Sequence, residues 1–327
     1  MVTAAIVGLG RWGRRLVDSV QQSGRPGGDL IRFTHAVAPT PAKVRAYAEE
    51  QCLELTEDLP AVLAEAAIDA VVLASPHDRH VEQIVAAAAA GKHVFVEKPF
   101  ALTLAGAREA IDAAKAAGIV LALGHNRRFL PAMARLKALI ESGALGTIVQ
   151  LEGNFSGPFG PSFTGTWRGR ETGVAAGLAA MGIHLCDAFI HLRGPVAAVR
   201  CQGESPTLTN GVADTAMAIL RFRSGASGYF STVVTTRRQW RLQVFGTSGW
   251  VCMRDHHILD VQSADDVLQT TTYPLVDIER AELEAFAAAI AGNAVYPLPL
   301  DQAAHGAAVL EALLASAADG GRERNVP

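Results

Sequence analysis

The feature that most constrains this chain is the join between Ala4-Ala5-Ile6-Val7 and Gly8-Leu9-Gly10-Arg11-Trp12-Gly13. A short apolar strand runs straight into three glycines, and Arg14 to Gln22 then reads as a helix. Each glycine has its own expected task. Gly8 makes a tight turn, Gly10 lets a pyrophosphate approach the backbone, and Gly13 packs the helix closely on the strand. The helix start, with Arg11 and Trp12, offers unpaired amides to phosphates. The plain alternative is a glycine-rich turn that binds nothing. A strand before and a helix after favour a dinucleotide site.

A second strand is expected over Ile31 to Ala38, ending in Ala38-Pro39-Thr40-Pro41 without the acidic residue that bonds a ribose 2′-OH in NAD proteins. NADP is therefore as open as NAD. Lys43 and Arg45 are either partners of a 2′-phosphate or the solvated face of the next helix. Helices over Ala42 to Gln51, Asp58 to Ala66, Arg79 to Ala90 and Thr103 to Ala117 alternate with strands at Ala70 to Ala74, Val94 to Val96 and Ile119 to Leu123. Such alternation means an α/β, doubly wound parallel sheet closing near Gly124. In such a sheet ligands sit at the carboxyl ends of the strands. Ser75-Pro76-His77 ends one strand, where a nicotinamide could lie, and His80 is expected to be structural, hydrogen-bonded locally. Another strand delivers Glu97-Lys98-Pro99, and a lysine leaving a buried strand is partly desolvated, so that its pKa can fall. Pro99 fixes its own φ and could be cis. A surface Glu-Lys pair before a turn is the bland reading of the same tripeptide.

With 327 residues, 50% of them hydrophobic, the chain can bury large cores, and its length suggests about two domains. The net charge of −3 comes without any basic run interleaved with aromatics, so no nucleic-acid or anionic-membrane partner is expected. No apolar stretch approaches the ~20 residues of a membrane span, and no leader pattern is present, which points to the cytoplasm. Cys52, Cys186, Cys201 and Cys252 are far apart and read as reduced, buried small hydrophobes. From Thr147 onward the pattern changes to strands joined by short turns: Thr147 to Phe155, Val196 to Cys201, Ala213 to Phe222, Ala226 to Val234, Gln239 to Phe245 and Gly249 to Met253. Helices near Ala176 to Leu192 and Glu279 to Ala291 are expected to interrupt or flank this mostly antiparallel, open sheet. Asp301 is expected to cap a last helix, Gln302 to Ser316, and Gly320 onward to fray.

Taken together, Gly8-Leu9-Gly10-Arg11-Trp12-Gly13, Ala74-Ser75-Pro76 with His80, Glu97-Lys98-Pro99, Asn126-Arg127-Arg128-Phe129-Leu130-Pro131, Gly143-Ala144-Leu145-Gly146, Trp167-Arg168 and Gly182-Ile183-His184-Leu185-Cys186-Asp187 resemble the glucose-fructose oxidoreductase/inositol dehydrogenase/MocA family over roughly residues 1 to 315. The resemblance implies a Rossmann domain at 1–124 that binds NAD or NADP. It also implies an α+β substrate and oligomerisation domain at 125–327, whose last helix packs back on the first. It further implies hydride transfer between a nicotinamide and a carbinol or carbonyl carbon of a sugar, cyclitol or related polyol, in a homodimer or homotetramer formed through the second sheet. Lys98 and His184 match the family's catalytic lysine and histidine. Gly8, Gly10, Arg11, Trp12, Gly13, Ser75, Pro76, His77, Glu97 and Lys98 match the cofactor side, and Arg128, Trp167, Arg168, His184 and Asp187 the substrate side. One position departs. Many members carry an aspartate one helical turn before the histidine, and here that position is Ala180.

Three readings follow from Ala180. Lys98 is the main proton donor or acceptor while His184 positions substrate; or Glu171 or Glu97 replaces the acid; or catalysis is lost, leaving a dinucleotide-binding sensor. The first is preferred, and an enzyme that uses NAD transiently in glycoside cleavage is the further competitor. His184, Asp187 and His191 share a helix edge, but a polar edge explains that spacing and no metal is expected. His125, Arg127 and Arg128 either bind substrate or phosphate or cap the domain junction, and His256-His257 is assigned nothing.

Overall fold

The computed structural model describes residues 1–21, 30–163, 177–209, 211–263 and 265–327. They divide into two compact units: residues 1–126 with 277–304, and residues 127–276 with 305–327. In the first, β1 (Val2–Val7), α1 (Arg11–Gln21), β2 (Ile31–Val37), α2 (Arg45–Glu50), β3 (Glu54–Thr56), α3 (Leu59–Ala64), β4 (Ala70–Leu73), α4 (His80–Ala89), β5 (His93–Glu97), α5 (Leu104–Ala117) and β6 (Leu121–Gly124) follow one another. The six strands pair in parallel in the order β3-β2-β1-β4-β5-β6. Every residue of β4 and β6 is buried, as strands covered on both faces require. Side chains set the helix ends: Asp58 accepts from the Ala61 amide and Thr103 from the Gly106 amide, while Gly118 closes α5 at φ +66°. The short edge strand β3 escaped the sequence reading because three residues, with Glu54 exposed, carry no periodicity.

The second unit is built on a nine-stranded sheet. Its elements are α6 (Pro131–Glu141), β7 (Ile148–Pro158), α7 (Ile183–Arg193), β8 (Val196–Glu204), β9 (Thr215–Phe222), β10 (Ser227–Val233), β11 (Thr235–Gly246), β12 (Gly249–Arg254), β13 (Ile258–Gln262), β14 (Leu268–Thr272) and β15 (Arg324–Asn325). The order is β14-β13-β12-β11-β7-β10-β9-β8-β15, antiparallel except for β7 beside β10. Alternation on β9 is clean, with Ala216, Ala218, Leu220 and Phe222 buried while Met217 and Ile219 face outward at 49% and 61% exposure. Helix α7 covers the inner face, with Phe189 against Phe222 and Phe230. Gly153 leaves room for it, since a Cβ there would meet Leu185 at 2.8 Å.

Several expectations change. Helix α8 (Ile278–Ile290), expected with the second sheet, belongs to the first unit, where Phe286 meets Phe95 at 5.8 Å and Glu279 accepts from Arg15 and Asn126. Its apolar stripe fits either sheet, because periodicity names a face and not a destination. Helix α6 was not anticipated, and the last helix, α9 (Leu300–Ala318), starts before Asp301, which lies inside its first turn. The terminal segment does not fray: Arg324 and Asn325 pair with β8 and Val326 is buried. All four cysteines are free, but Cys52 is exposed, at φ +55°. No helix among the described residues is long and apolar enough to cross a membrane.

Candidate active site

The order of the first sheet reverses between β1 and β4, and ligands of such sheets sit where the strand ends diverge. Gly8, at φ +98°, turns so close to β4 that a Cβ would lie 2.7 Å from the Ala74 carbonyl. A Cβ on Gly13 would lie 2.0 Å from the Gly8 oxygen. Gly10 differs: it is exposed, and a Cβ there would meet no protein atom within 4 Å. Its lack of a side chain serves no protein packing, which fits close approach of a pyrophosphate from outside. The first amides of α1, from Arg11, Trp12 and Gly13, have no intrahelical acceptor and can serve the phosphates. At the end of β2, Lys43 and Arg45 are both exposed and no carboxylate stands between Ala38 and Val44.

At the end of β4 the Ser75 hydroxyl donates to Gln83 at 2.6 Å and His77 is buried. His80 is structural, as expected: its two ring nitrogens lie 2.9 Å from the Pro99 carbonyl and 3.1 Å from the Ser75 carbonyl. Burial pushes its pKa down to about 4, so near neutrality the ring donates to only one of them. The strand β5 ends in Glu97, buried, and Lys98, half-buried, and the Lys98–Pro99 bond is cis. Burial raises the Glu97 pKa, while the Lys98 ammonium and the Trp12 indole N–H oppose it. That indole sits near the carboxyl, yet Trp12 Nε1 and Glu97 Oε1 are both buried without a hydrogen bond of normal geometry. Gly124 makes space beside them, since a Cβ there would lie 3.0 Å from Glu97 Oε1. The glycine turn, Ser75-Pro76-His77 and Glu97-Lys98 thus share the carboxyl edge of one sheet.

In the second unit a wide turn, Leu178–Gly182, precedes α7, and the Ile183 amide bonds back to the Leu178 carbonyl five residues earlier. A four-residue step there spans less than a full turn. Ala180 is therefore rotated from the face that ordinary helix spacing predicts for it relative to His184. It packs with Phe155, Phe159 and Leu208 against a cluster of Phe163, Met181, Val212 and Val234. His184 is buried, and Arg127 Nη1 lies 3.0 Å from its Nδ1 and 3.1 Å from its Nε2. The same guanidinium sits 4.5 Å from the Phe155 ring centroid and 5.1 Å from that of Trp240. Arg128 and Asp187 form a buried, bidentate pair with contacts of 2.7 to 3.1 Å, which ties α7 to the segment before α6. His191 is neutral, pushed down to about 4 by burial and by Arg128. Trp167, Arg168 and Glu171 lie outside the described residues.

His256, left without a role above, belongs to this group. Its ring lies 4.8 Å from that of Trp240, its Nε2 is buried without a hydrogen bond, and burial followed by Arg127 holds its pKa down to about 3. Asp255 and His256 both have positive φ in the turn joining β12 to β13. No sequence signal marks that turn, since Asp255-His256 is not the Asn-Gly or Asp-Gly pair that favours a tight hairpin. No cluster of His, Cys, Asp and Glu suited to a metal occurs among the described residues.

Both the sequence and the fold resemble those of known proteins. Residues 2–125 match the oxidoreductase family with an NAD-binding Rossmann fold, and residues 133–252 match the GFO/IDH/MocA C-terminal domain. The chain is 30% identical to scyllo-inositol 2-dehydrogenase (NAD(+)) of Bacillus subtilis (strain 168) over 279 residues, covering 79% of this chain and 76% of the relative. It is 31% identical to 1,5-anhydro-D-fructose reductase of Ensifer adhaerens, covering 68% and 67%. The fold resembles that of levoglucosan dehydrogenase in complex with NADH and levoglucosan, with a TM-score of 0.85 at 23% identity over 100% of this chain and 99% of that one. The chain belongs to the Gfo/Idh/MocA family of NAD-binding oxidoreductases.

Proposed function

We propose that the protein is an NAD(P)-dependent dehydrogenase or reductase that interconverts a carbinol and a carbonyl carbon in a sugar, cyclitol or related polyol. The observation that carries this reading is the emergence of Lys98 on the same carboxyl edge as the Gly8-Gly10-Gly13 turn, in the unit whose sequence matches an NAD-binding family. The named relatives that act on inositol and anhydrofructose supply the substrate class. When bound, a nicotinamide dinucleotide supplies the hydride acceptor or donor. The chain must then hold the dinucleotide, orient the substrate and move one proton. Phosphates fall to the open turn at Gly10 and the amides of α1. Lys98 Nζ is the proton donor or acceptor, and as an ammonium it also stabilises oxyanion charge. His184 meets a substrate hydroxyl, while the buried Arg128–Asp187 pair is the support on which α7 stands rather than a substrate ligand.

Fluorescence titration with NADH and NADPH, followed by a panel of polyols and their ketones, tests the reading. Turnover of a polyol with net formation of NAD(P)H supports it. Tight cofactor binding with no turnover favours a sensor, and glycoside cleavage without net NADH release favours the transient use of NAD. The exposed face carrying Val149, Met217, Ile219 and Tyr229 is the surface we assign to a homodimer or homotetramer. Sedimentation of the Ile219→Asp variant tests it, and an unchanged oligomer would move the interface elsewhere.

A further inference from the structure

We propose that Arg127 is the positioning residue of His184, lying over the imidazole as a caged cation that keeps the ring neutral and fixes its plane. One Nη equidistant from both ring nitrogens, at 3.0 and 3.1 Å, cannot lie in the ring plane without colliding with Cε1, so it sits over the face. The guanidinium is held there by Phe155 and Trp240, at 4.5 and 5.1 Å, and Phe155 also touches His184, with centroids 5.7 Å apart. A cation is attracted to the face of a neutral aromatic ring and repelled by an imidazolium. Three rings therefore converge on one permanent charge, and protonation of His184 would place a second beside it.

The surroundings agree. Position 180 faces an apolar cluster, so a carboxylate there would be desolvated, and the residue present is alanine. The charged and titratable groups near the ring include Arg127 on its face, Arg128 and Asp187 bonded to each other one turn on, and His256 across Trp240. Burial and Arg127 keep His256 uncharged as well. The cage thus works opposite to a carboxylate partner: it lowers the basicity of the histidine and leaves the proton to Lys98. The catalytic consequence rests on the function proposed above; the cage itself does not.

The test separates the two. In the full-length protein labelled with 13C-histidine, the Cε1–H resonance of His184 is titrated against pH in wild type, Arg127→Met, Arg127→Gln and Arg127→Lys. Removing the charge should raise the midpoint by about one unit or more, whereas Lys, which keeps the charge but cannot stack, should retain most of the wild-type value. The same substitutions should move the acidic limb of kcat/KM by the amount seen in the spectra. Gln serves if Met does not fold, being planar and uncharged. Equal midpoints in wild type and both uncharged variants would overturn the proposal, whatever the enzyme does with polyols. A shifted midpoint in a protein that turns over no polyol would sustain the cage and remove only the assigned reaction.

Discussion

In the first unit Gly8, Gly10, Gly13, Ser75, Glu97 and Lys98 each stand within a few residues of the strand that aims them. In the second, Arg127, Phe155, His184, Trp240 and His256 come from separate segments far apart in the chain and meet only once β7, α7, β11 and the β12–β13 turn are in place. The first arrangement is fixed by backbone: tight turns, free amides, strand ends. The second is fixed by side-chain packing around a charge. A binding mode common to many dinucleotide proteins can be encoded locally, while a group that tunes one histidine needs the whole sheet.

The contrast can be broken most sharply at Lys98. Lys98→Met should lower kcat by roughly 10²–10⁴-fold while leaving NADH affinity within about twofold. Loss of cofactor binding alone, or unchanged turnover in stopped-flow assays, would remove the amine from the chemistry. Next in size are the glycines. Gly13→Ala should lower the melting temperature, because its Cβ would meet the Gly8 oxygen at 2.0 Å. Gly10→Ala should leave melting unchanged and weaken dinucleotide binding by about tenfold, since only the ligand is crowded. Equal melting losses in both variants would mean that Gly10 serves the protein after all.

Acid should unsettle both units. His80 and His191 have pKa values lowered to about 4, and His256 to about 3, by burial. The unfolded chain then binds more protons than the fold between roughly pH 6.5 and 4, so stability is full above that window and falls on acidification. Each histidine contributes up to about 1.4 kcal/mol per pH unit. Calorimetry of His80→Asn between pH 4 and 7 should show a shallower slope than wild type. The smallest effect is expected for Trp240→Phe, which keeps an aromatic wall beside Arg127 and should cost less than about 1.5 kcal/mol by thermal melting. A larger loss would show that the indole holds the turn at His256 rather than the guanidinium.

The same contrast decides how much could be read from the letters alone. Gly8 to Gly13, Ser75-Pro76 and Glu97-Lys98 were legible because glycine spacing, strand and helix follow within a few residues. Six strands of the second sheet, β7 to β12, were legible in the sequence, as the alternation on β9 shows, but β13, β14, the terminal β15 and the three-residue edge strand β3 of the first sheet were not. The stripe of Leu283, Phe286 and Ala287 marks α8 as a helix but says nothing about which surface it meets, and the helix belongs to the first unit. The Ala180 position was placed on the face of His184 by ordinary helix spacing, and the wide turn over Leu178–Gly182 changed that. Nothing next to His256 in sequence announces Trp240 or Arg127, which reach it only in the folded chain.

The imidazole of His80 touches one carbonyl after β4 and another after Lys98. These two loops are therefore mechanically a single block: a change made to re-aim one will drag the other. Anyone altering the segment at Ser75 to suit a different dinucleotide should expect the amine at Lys98 to shift with it, so variants there are best screened in pairs with compensating changes at Pro99 or Phe100.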